Sequence, residues 1–479
     1  MSGLNAPSPD FLDRLRALLG PQGWRDGPEI ARYLEEPRGR WHGAAALVAR
    51  PADVEETADI LRLCSAARVG VVPYGGGTGL VGGQVASDGP PPVLLSVERM
   101  TAIRSVSAEE DAMVVEAGVV LADAQAAAAR ADRLFPLSLA AEGSARIGGV
   151  LACNAGGVAV LRYGNARDLT LGIEAALPDG TVLRGLKTLR KDNMGYDIRH
   201  LMIGAEGTLG VITAAALRLF PRPRETATAF CAAPDPAAAS ALLRLLRDRL
   251  GPAISAFELL SAQGMAFLAE TCPEVPRPPV EGRWFALVEA TGGEGSGVGA
   301  ALEAGLAAGF EAGLVEDAAI AQSESQRAAF WRIREDTPEA NRRIGAISSH
   351  DISVPLAAIP DFIARGHEAV ARLNPHLRIN CFGHVGDGNL HYNVFPPPGE
   401  TRAAFETLRA PIKRTLHDLV DGFGGSVAAE HGIGRLKTED LARYGDPGKL
   451  AAMRAIKDAL DPAGVMNPGA VLPARPPLP

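Results

Sequence analysis

Cysteine is scarce in this chain of 479 residues: five are scattered at Cys64, Cys153, Cys231, Cys272 and Cys381, with no CxxC pair. An odd, dispersed set offers no disulfide framework and suits a reducing compartment. Histidine is thin as well, at nine residues, so any clustering of imidazoles carries information. A basic excess is missing: 48 Lys and Arg stand against 56 Asp and Glu, for a net charge of −8. No basic stripe dominates, which argues against a nucleic-acid or anionic-membrane partner. No apolar run reaches bilayer-spanning length, and Met1 to Gly20 lacks the charged-then-apolar pattern of a secretory signal. The expectation is a soluble, cytoplasmic protein. With 47% apolar and 22% charged residues, the chain has material for two to four domains with ample core.

Glycine, by contrast, is concentrated. Tyr74 to Gln84 holds six glycines in eleven residues, a density that no packed helix or strand tolerates. Lying between the apolar stretches Val69–Pro73 and Val93–Val97, it reads as a loop whose bare N–H groups can face an anion. It is not a Walker A loop, because the Lys-Ser/Thr ending is absent, and no helix follows to make a Rossmann fingerprint. A flexible linker is the alternative. Phe135 to Gly157 is a second glycine-rich region, where Ser144 and Asn154 add side-chain hydrogen bonds. Ile203 to Thr213 is a third. Three such loops point to a large ligand held mainly by backbone. Ile173 to Leu183 predicts a hairpin around Pro-Asp-Gly. Beyond Pro221-Arg-Pro223 the texture changes: Asp235-Pro236 starts a helix that stops at Gly251. Strands such as Trp284–Val288 then alternate with Ala-rich helices, as expected for an α+β domain with an antiparallel sheet. Pro473 to Pro479 reads as a disordered tail.

The sharpest feature is Cys381-Phe-Gly-His-Val-Gly-Asp-Gly-Asn-Leu-His-Tyr-Asn393. Read as a hairpin with Gly386 to Asn389 as the loop, it sets His384 opposite His391, close enough for two imidazoles to share one metal. Asn393 falls on the same face. The alternative is a hairpin with two half-buried histidines. Ser426 to Arg435 reads as a short apolar strand ending in a glycine-rich loop, with Glu430 and His431 where the strand stops. Two histidines and a carboxylate form a common catalytic metal set, which leaves His431 as a spare imidazole for general-base work.

These motifs together resemble the flavin-dependent D-2-hydroxyacid dehydrogenases of the vanillyl-alcohol oxidase type, over about residues 40 to 472. That group includes glycolate oxidase catalytic subunits, D-lactate dehydrogenases and D-2-hydroxyglutarate dehydrogenases. The resemblance implies an α+β fold: a lead-in (1–40), a two-subdomain PCMH-type FAD-binding domain (41–222), a substrate or cap domain with the metal hairpin (223–425), and a segment returning to the FAD domain (426–479). It implies FAD contacts from Pro73, Gly75, Gly76, Gly77, Thr78, Gly79, Leu80 and Gly82. Pro136, Ser138, Gly143, Ser144, Gly148, Gly149, Asn154 and Gly157 follow in the second loop. Glu206, Gly210 and Ile212 complete the site, with Asn467 beside the flavin. Thr78 stands where relatives with covalent flavin often carry His, so dissociable FAD is expected.

The same resemblance implies His384, His391 and Glu430 as metal ligands, for Zn²⁺ or else Mn²⁺, Fe²⁺ or Co²⁺. It implies His431 as the general base, with Asn393 and Arg334 on the substrate. For Arg334 the alternative is a surface pair with Glu335 or Glu339. The implied reaction passes a hydride from C2 of a D-2-hydroxy acid to flavin N5. Pro338 and Ser349 replace the Thr and Lys that hold the distal carboxylate in hydroxyglutarate enzymes. A monocarboxylate such as D-lactate, or a larger hydroxy acid, is therefore expected at least as readily, with Thr337, His350, Arg342 or Arg343 as candidate compensations. Electron-transfer flavoprotein, a quinone or a cytochrome is the expected acceptor, and a homodimer is compatible. Competing readings are a sugar or alditol oxidase of the same fold, a non-catalytic flavin subunit, and a metal-dependent hydrolase.

Overall fold

A computed structural model of the protein describes residues 3–473. The tail expected beyond Pro473 lies outside the described residues. The chain divides into two compact units, Met1–Gly156 with Asn165–Arg222 and Glu430–Pro479, and Gly157–Gly164 with Pro223–Ala429.

The first unit contains two main sheets. Strands β1 (Trp24–Arg25), β2 (Leu47–Ala49), β3 (Val71–Tyr74) and β4 (Val93–Ser96) lie in the order β1-β2-β4-β3. β4 is parallel to both β2 and β3. The crossover helix Val54–Ala67 starts where Asp53 accepts the N–H of Glu56, an N-cap of the expected kind. Ile60, Leu61 and Cys64 on its buried face pack with Leu47, Val71 and Leu95 of the sheet and with Phe11 and Leu15 of the helix Pro9–Leu19. The second sheet is antiparallel. It holds β5 (Ile103–Ser107), β6 (Ala112–Glu116), β7 (Thr170–Ala176), β8 (Val182–Gly185) and β9 (Val211–Arg218), in the order β5-β6-β9-β7-β8. The hairpin β7–β8 turns at Pro-Asp-Gly, with Gly180 at φ +83°. The late segment Val465–Asn467 covers the edge of β3, exchanging hydrogen bonds with Val71 (2.8 and 2.7 Å).

The second unit is built on a seven-stranded antiparallel sheet of β10 (Glu225–Ala233), β11 (Ile254–Ser261), β12 (Trp284–Gly292), β13 (Asp317–Ile320), β14 (Ser348–Ser353), β15 (Arg378–His384) and β16 (Asn389–Phe395). Their order is β13-β10-β12-β11-β15-β16-β14. One face meets Phe267 of the helix Ala262–Thr271 and Phe330, Trp331 and Ile333 of the helix Glu324–Glu335, which pack with Phe230, Phe285, Leu287 and Phe382 of the strands. On the other face Tyr392 meets Phe362 and Gly366 of the helix Ile359–Leu373. The short segment Gly157–Gly164 joins this unit through Arg162, whose guanidinium reaches the carbonyls of Thr291 (2.5 Å) and Ala253 (3.3 Å).

Two local expectations are corrected. The hairpin loop is Val385 to Gly388, not Gly386 to Asn389. Asn389 is drawn into β16 because its side-chain amide donates to Asp351 Oδ1 and Ile352 O of β14 (both 2.9 Å). His391 is consequently paired with Phe382, and His384 sits diagonally from it. The segment from Ser426 is not a strand. Only Ser426 bridges, to Ser353. Its hydroxyl then takes the N–H of Ala428 and turns the chain, a side-chain competition with the ladder typical of serine.

Candidate active site

In the first unit, the glycine-rich segments meet backbone to backbone. A Cβ on Gly76 would lie 2.1 Å from Ser144 O, and one on Gly75 would lie 3.0 Å from Gly149 Cα. Gly77 has φ +74°. Only glycine permits this approach, and the resulting cradle of bare peptide groups suits a pyrophosphate-bearing cofactor. Thr78, Gly79, Leu80 and Gly82 continue the same irregular loop after Pro73 of β3. Gly148 and Gly149 lie in the short helix Ile147–Ala152, and Gly143 and Ser144 in the turn before it. Pro136 and Ser138 line a cleft of about 400 Å³ with Gln125 and Arg133. Asn154 (φ +52°) uses its amide oxygen on the N–H of Arg167. Gly210 has φ +154° and Ile212 lies in β9, while Gly157, at φ +140°, opens the short segment that belongs to the second unit.

Two of the expected flavin contacts have their side chains committed elsewhere. Glu206 accepts the N–H groups of Ile433 and Gly434 (2.8 Å each). Burial pushes its carboxyl up from the usual range, against those two donors. Asn467 donates to Gly83 O (3.0 Å) and Glu206 O (2.8 Å) and accepts from Arg435 (2.9 Å). Arg435 also reaches Gly82 O and Gly83 O (2.9 Å each); burial brings its guanidinium down to about 10. This knot of Glu206, Arg435 and Asn467 ties the loop that follows His431 to the first glycine-rich loop.

In the second unit, His384 and His391 stand on one face of the sheet with ring centroids 5.5 Å apart. The two-residue change of register leaves them on the same side, because side chains alternate with period two. Asn393 shares that face as the partner of Asn380 and Ser349.

Behind His384 lies Glu258 of β11, its cross-strand neighbour, 1% exposed. Glu258 Oε1 is 2.6 Å from His384 Nδ1, and Oε2 accepts from Arg334 Nε at 2.6 Å. Burial alone would raise this carboxyl, but His384 and Arg334 outweigh it and hold it down at about 2. An ionised carboxylate only accepts, so Nδ1 of His384 carries the proton and Nε2 is left to bind a metal. A carboxylate behind a ligating imidazole is the usual support of such a site. Asp351 lies beside His391, with Oδ1 3.9 Å from Nδ1.

Arg334 is buried, not on a surface pair with Glu335 or Glu339. Its guanidinium lies over the ring of Phe382 (4.9 Å), with Nη2 3.5 Å from His384 Nε2. The residues considered for a distal carboxylate are engaged elsewhere. The Thr337 hydroxyl donates to Ile333 O in the last turn of the helix Glu324–Glu335. His350 turns to Ser348 (2.8 Å) and His417 (3.2 Å) on the opposite face. Arg342 and Arg343 pair with Glu339 at the surface. The N–H of Ala429 reaches Asp351 O (3.4 Å), and Glu430 and His431 follow it in sequence.

Sequence reasoning missed Glu258. The signal was present: a single carboxylate inside the buried apolar strand Ile254–Ser261, where a charge is kept only when paired.

Comparison with known proteins agrees with this architecture. Residues 45–185 match an FAD binding domain, and residues 222–471 match the C-terminal domain of FAD linked oxidases. A D-2-hydroxyglutarate dehydrogenase from Bos taurus is 38% identical over 453 residues, covering 92% of this chain and 80% of the relative. A probable D-2-hydroxyglutarate dehydrogenase from Oryza sativa subsp. japonica is 35% identical over 469 residues, covering 97% and 82%. The solved structure of p-cresol methylhydroxylase with substrate bound superposes with a TM-score of 0.73 at 16% identity, covering 98% of this chain and 97% of that one; this likeness shows the fold. The chain therefore belongs to the FAD-linked oxidases and, within them, to the family of FAD-dependent D-2-hydroxyacid dehydrogenases, oxidoreductases that act on CH–OH donors.

Proposed function

We propose that the protein oxidises a D-2-hydroxy acid to the 2-oxo acid, with FAD held non-covalently and a divalent metal, Zn²⁺ by preference, held by His384, His391 and Glu430. The observation that carries this reading is the Glu258–His384 contact, which presents Nε2 beside Arg334. When bound, FAD supplies a hydride acceptor and the metal supplies Lewis acidity at the substrate's oxygens. The oxidation removes a proton from the hydroxyl oxygen and a hydride from C2. His431 takes the proton. Arg334 holds the carboxylate, for which a planar guanidinium is suited, and Asn393 offers an amide on the same face. In the first unit, the peptide groups of residues 75–79 and 148–149 would hold the cofactor.

For the substrate we favour a monocarboxylate. Ser349 carries no charge on the His391 face, and Arg342 and Arg343 are committed to Glu339. An unpaired distal carboxylate would be costly to bury. The relatives' names favour D-2-hydroxyglutarate instead.

Anaerobic addition of D- and L-2-hydroxy acids to the purified yellow protein tests the reading. Loss of the oxidised-flavin band with D-lactate at lower concentration than with D-2-hydroxyglutarate is expected. A flavin that no hydroxy acid bleaches sinks it; the reverse order overturns only the substrate preference. With Thr78 in the loop, denaturation should release the flavin into solution, and colour retained on the precipitated protein would refute non-covalent binding.

A further inference from the structure

A second buried carboxylate lies on the same face of the sheet as Glu258. Glu289 of β12 is opposite Ala256, two residues from Glu258 along β11. Its Oε2 accepts from Thr228 (3.0 Å), Arg327 (2.8 Å) and Trp331 (2.8 Å). Arg327, Trp331 and Arg334 recur at spacings of four and three, so they form one stripe of the helix Glu324–Glu335. Two carboxylates thus fix that stripe to the sheet, one at Arg327 and Trp331 and the other at Arg334.

We propose that Glu258 is a positioning residue that locks His384 and Arg334 into a single unit, so that metal retention and substrate-carboxylate binding depend on the same side chain, while Glu289 anchors the helix without touching the metal ligand. The inference rests on the reading of His384 as a metal ligand and Arg334 as the substrate arginine. Its physical basis is the donor count. Both partners of Glu258 donate, and a carboxylate accepts from both. A glutamine has one accepting end and one donating end. If its oxygen faces His384, its NH₂ meets the N–H of Arg334. If its NH₂ faces His384, the ring proton must move to Nε2, and the metal-binding lone pair is lost. Glu258→Gln can satisfy one partner only.

The test uses full-length holoprotein, with Zn²⁺ retention measured by mass spectrometry after dialysis against graded chelator, and kcat and KM measured with D-lactate and D-2-hydroxyglutarate. Glu258→Gln should weaken Zn²⁺ retention about 10–100-fold, the usual effect of removing such a support, and should raise KM. Because that variant leaves Arg334 buried without a counter-charge, the double variant E258Q/R334M supplies the decisive comparison. With no arginine to satisfy, the glutamine oxygen can face His384. Zn²⁺ retention should recover towards wild type while KM stays raised. Glu289→Gln should keep its Zn²⁺ and raise KM alone. Wild-type Zn²⁺ retention in Glu258→Gln, or no recovery in the double variant, overturns the proposal while leaving the metal reading standing. Wild-type protein that binds no Zn²⁺ removes the metal reading itself, and this proposal with it.

Discussion

The two units present their chemistry by opposite means. The glycine-rich segments of the first unit work through backbone, approaching so closely that peptide groups rather than side chains line the space between them. The second works through side chains, with His384, His391, Glu258 and Arg334 gathered on one face of a sheet. The first arrangement is fixed by sterics, because Gly76 has no room for a methyl group. The second is fixed by donor–acceptor matching around a buried carboxylate. Damage should therefore propagate differently: through fit in one unit and through protonation and charge in the other.

Five substitutions sharpen or break this contrast. The largest effect is expected at His431, since a general base is worth about 10²–10⁴-fold in rate. His431→Ala should lose that much in kcat while keeping its flavin spectrum and metal. An unchanged kcat would remove it from the role. Next, His384→Ala should empty the metal site without bleaching the protein's yellow colour, as elemental analysis alongside absorbance would show; full metal content would end the ligand assignment. Gly76→Ala tests the steric side. Its Cβ would fall 2.1 Å from Ser144 O, and overpacking of this kind costs about 1–3 kcal/mol. Lower FAD retention with intact Zn²⁺ is expected, and loss of both together would contradict the separation of mechanisms. The smallest effect belongs to Arg342→Ala and Arg343→Ala. Their ion pairs with Glu339 are exposed (73% and 42% at the arginines), and solvent screens such pairs so that they contribute little. KM for D-2-hydroxyglutarate should not move. A clear rise would place one of them at the substrate.

The same contrast explains what is legible in the sequence. Backbone sites announce themselves by glycine density, so the loops at 74–84 and 135–157 stand out from composition alone. The histidine hairpin stands out by rarity. Its loop is misplaced by sequence reasoning because Asn389 looks like a turn residue, yet its amide is bonded to β14 and pulls it into the ladder. The face assignment survives because the pairing shifts by an even number of residues. The stretch Ser426–Glu430 is apolar enough to suggest a strand, but composition does not reveal that the Ser426 hydroxyl diverts the chain after one bridge. Glu258 and Glu289 are hidden for a different reason. Each is a lone acid in an apolar strand, and which basic side chain meets it depends on how the helix Glu324–Glu335 lies on the sheet, a relation no local pattern encodes.

The pairing of Val71 with Val465 and Asn467 has a consequence for biosynthesis. The edge of β3 is completed by a segment made long after it, so a nascent chain carries an open strand edge while the whole second unit is being translated. Exposed edges recruit other chains, and closures between residues far apart in sequence are slow. Crowded expression should thus cost this protein yield through the unfinished first unit, and folding helpers that shield strand edges should help it more than those that only shelter loose helices.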